Sequence, residues 1–176
     1  MAVAAPAGIQ IRPRSEDDLP ALVEALEDVY STDGYPIEGT AATATFLTPA
    51  GLVEAWVAVR GGIAVGQIAV VSGGQGRHDA VRAWVELPGS GGRAESTVVA
   101  ARFFVRKHAR GCGLGRALIE KTCQWARENG MRIVMNVLAK DQDAMELYEK
   151  VGFRRFGEGE YQYDQGKRSV QYFYVY

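Results

Sequence analysis

The sequence predicts one mixed α/β domain organised around a central sheet, and three observations lead there. The chain has 176 residues, within the range of roughly 100–200 typical of a single domain. Stretches of alternating apolar residues and stretches of helical periodicity succeed one another as strand, helix, a short helix, three strands, helix, strand, helix and two strands. A hydrophobic share of 47% with 10% aromatic residues suffices for a core, since a chain this long hides roughly 70% of its unfolded surface. No repeat, low-complexity tract or linker divides it.

Residues 1–8 read as a loose tail and 9–176 as the domain. IQIRPR (9–14) alternates as a short strand. In SEDD, Ser15 is the expected N-cap, and Asp18 holds the capping-box position more often given to Glu or Gln. Leu19, Leu22, Val23, Leu26 and Val29 then share one helical face. Residues 31–52 are turn-rich with one short helix. EAWVAVR (54–60), Gly61-Gly62 and IAVGQIAVVS (63–72) form a β-hairpin. A glycine-heavy loop covers about 73–95, in which AVRAWVEL reads either as a short strand or as a helical turn. STVVAARFFV (96–105) is rich in β-branched and aromatic residues, as strands are. RKHARGCGLG turns from it into a helix that runs to about Asn129 and stops at Gly130. MRIVMNVL (131–138) is apolar enough for a strand buried on both faces. DQDAMELYEKVG is a helix closed by Gly152, and FRRFGEGEYQY and SVQYFYVY are two aromatic strands joined by Asp164-Gln165-Gly166-Lys167.

Several classes of protein are excluded. The best apolar stretch, Ile63 to Val71, falls far short of the roughly 18 residues of a membrane span. MAVAAPAG lacks the basic and long apolar regions of a secretion signal. Cys112 and Cys123 form no CxxC pair, so neither a disulfide framework nor a zinc site is expected. With only His78 and His108, a histidine-rich metal site is not expected either. A net charge of -1 lacks the broad basic surface of a nucleic-acid binder. The expectation is a cytoplasmic enzyme or small-molecule binder, with no membrane or nucleic-acid partner and no metal.

The chemistry concentrates in the strand–turn–helix unit from Arg102 to Asn129. Its turn reads Arg110-Gly111-Cys112-Gly113-Leu114-Gly115-Arg116. Glycines let a backbone approach a ligand, and successive N–H groups at a helix N-terminus form an anion site. Arg106, Lys107, Arg110 and Arg116 add positive charge, so a pyrophosphate is the expected ligand. A dinucleotide-binding GxGxxG fails, because the third glycine position holds Arg116 counted from Gly111 and Leu118 counted from Gly113. A Walker loop fails as well, because Gly166-Lys167 is followed by Arg168.

Arg110, Gly113 and Gly115 do form R-x-x-G-x-G. On that motif the sequence resembles the GCN5-related N-acetyltransferase (GNAT) superfamily, in which this turn binds the pyrophosphate of acetyl-coenzyme A. The resemblance continues through FFVRKHARGCGLGRALIE and RIVMNVLAKDQDAMELYEKVGF, roughly residues 96–156, and elsewhere by element order. It implies a mostly antiparallel sheet with one parallel strand pair, acetyl-CoA as cosubstrate, and acetyl transfer to a primary amine by direct attack. By the same resemblance, Phe103 and Val105 pair with the pantetheine arm, and a main-chain N–H near Val105 meets the developing oxyanion. Arg110, Gly111, Cys112, Gly113, Leu114, Gly115 and Arg116 cradle the pyrophosphate. Tyr148 takes the position of the general acid. Asp141 stands where many members carry an asparagine, and a carboxylate accepts hydrogen bonds without donating them.

Tyr148 also shares a helical face with Ala144, Leu147 and Val151, so a packing role stands beside the chemical one. No general base is marked by pattern; Asp33, Glu54, Glu86 and Glu95 are the carboxylates considered. Cys112 has no His–Asp company, which argues against an acyl-cysteine route. The acceptor is expected between the Asp33-Gly34-Tyr35-Pro36 turn and the 73–95 loop, with Tyr35, Glu38, Trp84 and Glu86 as contacts and Glu38 or Glu86 attracting a cationic amine. A small-molecule amine is the expected acceptor; a peptide N-terminus, a protein lysine, or a non-catalytic acyl-CoA sensor are the alternatives. The last strand, apolar on both faces, fits core packing plus a dimer edge, leaving monomer and homodimer open.

Overall fold

Gly61 and Gly62 adopt left-handed backbone (φ 59° and 81°), which turns β2 (Leu52–Arg60) tightly into β3 (Ile63–Ser72). Around this hairpin the computed structural model, which describes residues 8–76 and 78–176, assembles one seven-stranded sheet. The other strands are β1 (Ile9–Pro13), β4 (Thr97–Val105), β5 (Arg132–Leu138), β6 (Arg154–Tyr163) and β7 (Lys167–Val175), and the spatial order is β1-β2-β3-β4-β5-β7-β6. Only β4 and β5 run parallel; every other neighbouring pair is antiparallel. The expected tail lies outside the described residues except for Gly8.

Alternation along each strand sends successive side chains to opposite faces. Trp56, Ala58, Ile68, Val98, Ile133 and Met135 meet α4 (Leu114–Glu128) and α5 (Gln142–Val151) on one face. On the other, Val57, Val59, Ala64 and Phe104 pack under α1 (Leu19–Asp33) and α2 (Thr43–Leu47). Val99, Val134, Phe173 and Val175 pack there under α3 (Asp79–Glu86). Helix α3 resolves the ambiguous AVRAWVEL segment as a helix: Ala80 and Val81 are buried and Trp84 follows one turn later on the same apolar side.

The entry to α1 is fixed by a carboxylate. Asp18 accepts the Ser15 main-chain N–H at 2.8 Å and both terminal nitrogens of Arg12 at 2.7 Å. This ties β1 to a short 3-10 turn (Glu16–Asp18) that leads into the helix. The bidentate guanidinium pulls the Asp18 carboxyl from 3.8 to about 2, overcoming the opposing effect of burial.

Two irregularities open the middle of the sheet. The parallel pairing joins Thr97–Val99 to Arg132–Val134 and stops there, so β4 and β5 separate toward their C-terminal ends. In β4, Arg102 and Phe103 together face Ile68 of β3, because Gln67 pairs with Phe104 and Ala69 with Ala101. This is a β-bulge, and Arg102 at its first position has φ 55°. MRIVMNVL is buried on both faces only as far as Met135; Asn136 is exposed where the strands part. Among the described residues no helix is long and apolar enough to cross a membrane.

Candidate active site

The gap between β4 and β5 becomes a cleft of about 780 Å³. One end is the glycine turn. Gly111 and Gly113 have φ of 81° and 84°, a region that side chains disfavour, and a Cβ on either would project into open space. Gly115 is glycine for a different reason: its Cβ would lie 3.3 Å from the Phe103 ring and 3.4 Å from Leu147. The first intrahelical bond of α4 runs from the Ala117 N–H to Gly113 (2.9 Å). The N–H groups of Leu114, Gly115 and Arg116 precede it and have no carbonyl one turn back to bond.

Arg110 frames this end without being free. Its Nε donates to the Val105 carbonyl (2.7 Å) and its Nη2 to Asp33 at the end of α1 (2.5 Å). Burial pushes the Asp33 carboxyl up, but Arg110 outweighs it and leaves the group below its ordinary value. A carboxylate held in this ion pair is a weaker proton acceptor, which counts against Asp33 as a base. Glu54, Glu86 and Glu95 do not line the cleft. Cys112 does not line it either; its thiol donates to the Ala109 carbonyl at 3.1 Å. Arg116 lines the cleft while paired with Glu120 at 2.7 Å.

In mid-cleft the walls are Phe103, Val105, Asn136, Leu138, Asp141 and Tyr148. The Arg106 N–H donates to Val65 of β3 (2.8 Å). By the alternation of an antiparallel ladder the Val105 N–H therefore points away from β3, toward the parted side. Asp141 precedes α5 and takes the Lys140 ammonium at 2.7 Å. Tyr148 is 6% exposed, packed among Phe103, Phe153 and Tyr174 with ring centroids 6.0–6.1 Å apart, and still borders the cleft. Burial raises its phenol above the ordinary tyrosine value, with Tyr35 and Asp141 adding to the effect, so it is protonated at neutral pH. Packing and cleft-lining thus coincide in one residue.

The far end is walled by Tyr35, Glu38, Phe46, Arg102 and Tyr161. Tyr161 of β6 donates a hydrogen bond to the Glu38 carboxylate at this end of the cleft. Burial first, and Glu38 second, push the Tyr161 phenol up to about 12.

The structure therefore gathers Phe103, Val105, Arg110, Gly111, Gly113, Leu114, Gly115, Arg116, Asp141, Tyr148, Tyr35 and Glu38 around one cleft. It does not bring Trp84 or Glu86 there. Trp84 packs against Phe156 (5.3 Å) and borders a separate small hollow with Pro88 and Arg155. Because residues 79–86 fold as a helix, their apolar side turns down onto β5–β7 and cannot face the cleft. The second wall comes instead from β6, through Tyr161. Sequence reasoning missed Arg102, Phe46, Asn136 and Tyr161. For Arg102 a signal existed: it is the one charge within STVVAARFFV.

A parallel strand pair that parts over a glycine turn, with the Tyr148 phenol lining the gap, is the arrangement that the resemblance to the acetyltransferases implies. The acetyltransferase (GNAT) family model matches residues 19–153, and the chain belongs to that family. The fold is similar to that of Arabidopsis thaliana NAA60, solved with acetyl-CoA: TM-score 0.69, 21% identity, covering 96% of this chain and 97% of that one. It is also similar to yncA of Salmonella typhimurium, solved with acetyl-CoA: TM-score 0.68, 17% identity, covering 96% and 93%. N-acetylaspartate synthetase of Danio rerio is 34% identical over 106 residues, 60% of this chain and 31% of that protein. The chain thus spans under a third of the length of that relative.

Proposed function

We propose that this GNAT enzyme transfers the acetyl group of acetyl-CoA to the primary amine of a small molecule. The hydrogen bond from Tyr161 to Glu38 supports the small acceptor, because it joins two walls of the cleft and narrows the acceptor end between them. The glycine turn fits the coenzyme pyrophosphate: left-handed glycines present the N–H groups of Leu114, Gly115 and Arg116 over open space. Gly111 and Arg110 complete that cradle. Cys112, whose thiol turns to Ala109, contributes backbone only. The free β4 edge at Phe103 and Val105 offers strand-like hydrogen bonds to the amide-bearing pantetheine arm. Asp141, neutralised by Lys140, can accept from it.

Acetyl-CoA supplies an activated thioester, and the neutral amine attacks its carbonyl carbon. Negative charge gathering on the carbonyl oxygen is met by the Val105 N–H, placed before reaction and therefore effective. As the carbon–sulfur bond breaks, the thiolate takes the Tyr148 proton, and the proton lost by the amine passes to solvent. A free thiol titrates near 8.5 and tyrosine near 10. Burial raises the Tyr148 phenol, but it also raises the thiolate formed beside it, so the two values move together. Two free thiols, Cys112 exposed and Cys123 buried, fit a reducing compartment, in keeping with a cytoplasmic enzyme.

Thiol release from acetyl-CoA across a panel of small amines and peptides tests this reading. Small amines should turn over, and Tyr148→Phe should lower kcat by about 10²–10⁴ while coenzyme affinity holds. Turnover of peptides alone would overturn the small acceptor, and an unchanged pH–rate profile in Tyr148→Phe would remove the general acid. Coenzyme binding without turnover of any amine would point to a sensor.

A further inference from the structure

We infer that the acceptor is an amine that also carries a carboxylate, and that Arg102 binds this carboxylate; the inference rests on the acetyl-transfer reading. Four cations line the cleft: Arg102, Arg110, Arg116 and Lys140. Three are spent on Asp33, Glu120 and Asp141. Arg102 has no carboxylate partner among the described residues, and its Nε is buried with no hydrogen-bond acceptor. A charged donor atom removed from water without an acceptor is costly, while the rest of the partly exposed side chain faces the cleft. The Phe46 ring, 4.1 Å from the guanidinium carbon, offsets part of that cost and leaves the donor fork without its natural planar partner.

The placement is built. Arg102 sits on the β-bulge with φ 55°, a conformation that needs support from its surroundings. Gln67, fully buried, donates to the Arg102 carbonyl at 3.4 Å and accepts from Arg14 at 2.9 Å. Arg14 also donates to the Leu47 carbonyl at 2.5 Å, at the end of the helix that carries Phe46. One network therefore holds both the bulge that bears the guanidinium and the helix that bears the ring beneath it.

The opposite charge lies close by but apart. Glu38 and Arg102 act with opposite sign on the phenols of both Tyr35 and Tyr161, yet form no ion pair with each other. A separated cation and anion at the acceptor end complement an ammonium and a carboxylate on one small molecule. The amine would approach past Glu38 toward the Val105 N–H while the carboxylate docks on Arg102.

The test compares L-aspartate, L-glutamate, L-methionine and L-phenylalanine, each beside its analogue with every carboxylate converted to carboxamide. Thiol release is measured with acetyl-CoA, and calorimetric binding with the CoA-loaded protein. The parent should favour the best acid over its carboxamide by about 10–100-fold, the range of a charge-assisted hydrogen-bonded pair. In Arg102→Gln that ratio should collapse toward one, and in Arg102→Lys, which keeps the charge but not the fork, it should fall between. No preference in the parent, or an Arg102→Gln loss shared equally by acid and carboxamide, would overturn the inference. The parent ratio decides alone should the variants not fold. Arg102-dependent binding of acids without thiol release would overturn acetyl transfer and leave the anion site standing. Equal turnover of acids and carboxamides would do the reverse.

Discussion

A phenol kept from ionising in the native state stabilises that state only while the unfolded chain is also un-ionised. Tyr35, Tyr148 and Tyr161 are all raised from 10.0, chiefly by burial, Tyr161 to about 12. Below about 10 both states hold the proton and the contribution is complete. Above it the unfolded tyrosines ionise while the native ones resist, so stability falls as pH climbs, through about 12 for Tyr161. Thermal melting followed from neutral to strongly alkaline pH should show this decline. Tyr161→Phe should make it shallower, and a parent melting temperature flat across that range would contradict the burial argument. Residues of this kind differed in legibility. Tyr148 is marked by the resemblance carried by ELYEKVGF, and the glycines by their cluster. Tyr161 is not, because its partner Glu38 lies 123 positions away, and no local pattern records such a pairing.

Among the elements, the entrance to α1 makes the acid-side counterpart. Asp18 is held at about 2 against 3.8, so its contribution is present above the ordinary value and is lost as pH falls toward about 2. Arg12 is partly exposed, which trims the gain, and Asp18→Asn should cost about 1–2 kcal/mol at neutral pH. Chemical denaturation from pH 7 down to about 2 checks the sign: the two proteins should converge in acid. The capping role of Asp18 was readable from Ser15 three positions earlier, but its bond to Arg12 was not, since strand and helix meet only once β1 is seated. Helix α3 shows the reverse difficulty. Eight residues are too few for periodicity to separate strand from helix, so the placement of Trp84 and Glu86 depended on a choice the sequence left open.

For the molecule as a whole, coenzyme binding and folding are linked. A ligand at a hundred times its Kd adds about 2.7 kcal/mol to stability, so the parent should melt measurably higher with acetyl-CoA than without. Gly113→Val places a branched side chain at φ 84°, which costs about 1–3 kcal/mol, and should abolish the ligand-dependent part of the shift. A retained shift would mean that the glycine turn is not where the coenzyme binds. The order of elements and the presence of one sheet were legible because each strand and helix carries its own periodicity. The extent of the parallel pairing was not, because it follows from the twist and bulge of strands already assembled.

That short parallel pairing, Thr97–Val99 with Arg132–Val134, gives the sheet two borders in its interior. A sheet border is ordinarily a hazard, open to any extended chain that can supply hydrogen bonds. Here the two borders face each other across a cleft lined by their own side chains, so an amide-bearing thread can lie along them while neither border stands on the outside of the sheet. The interruption of the sheet thereby turns a liability for self-association into selectivity for a guest.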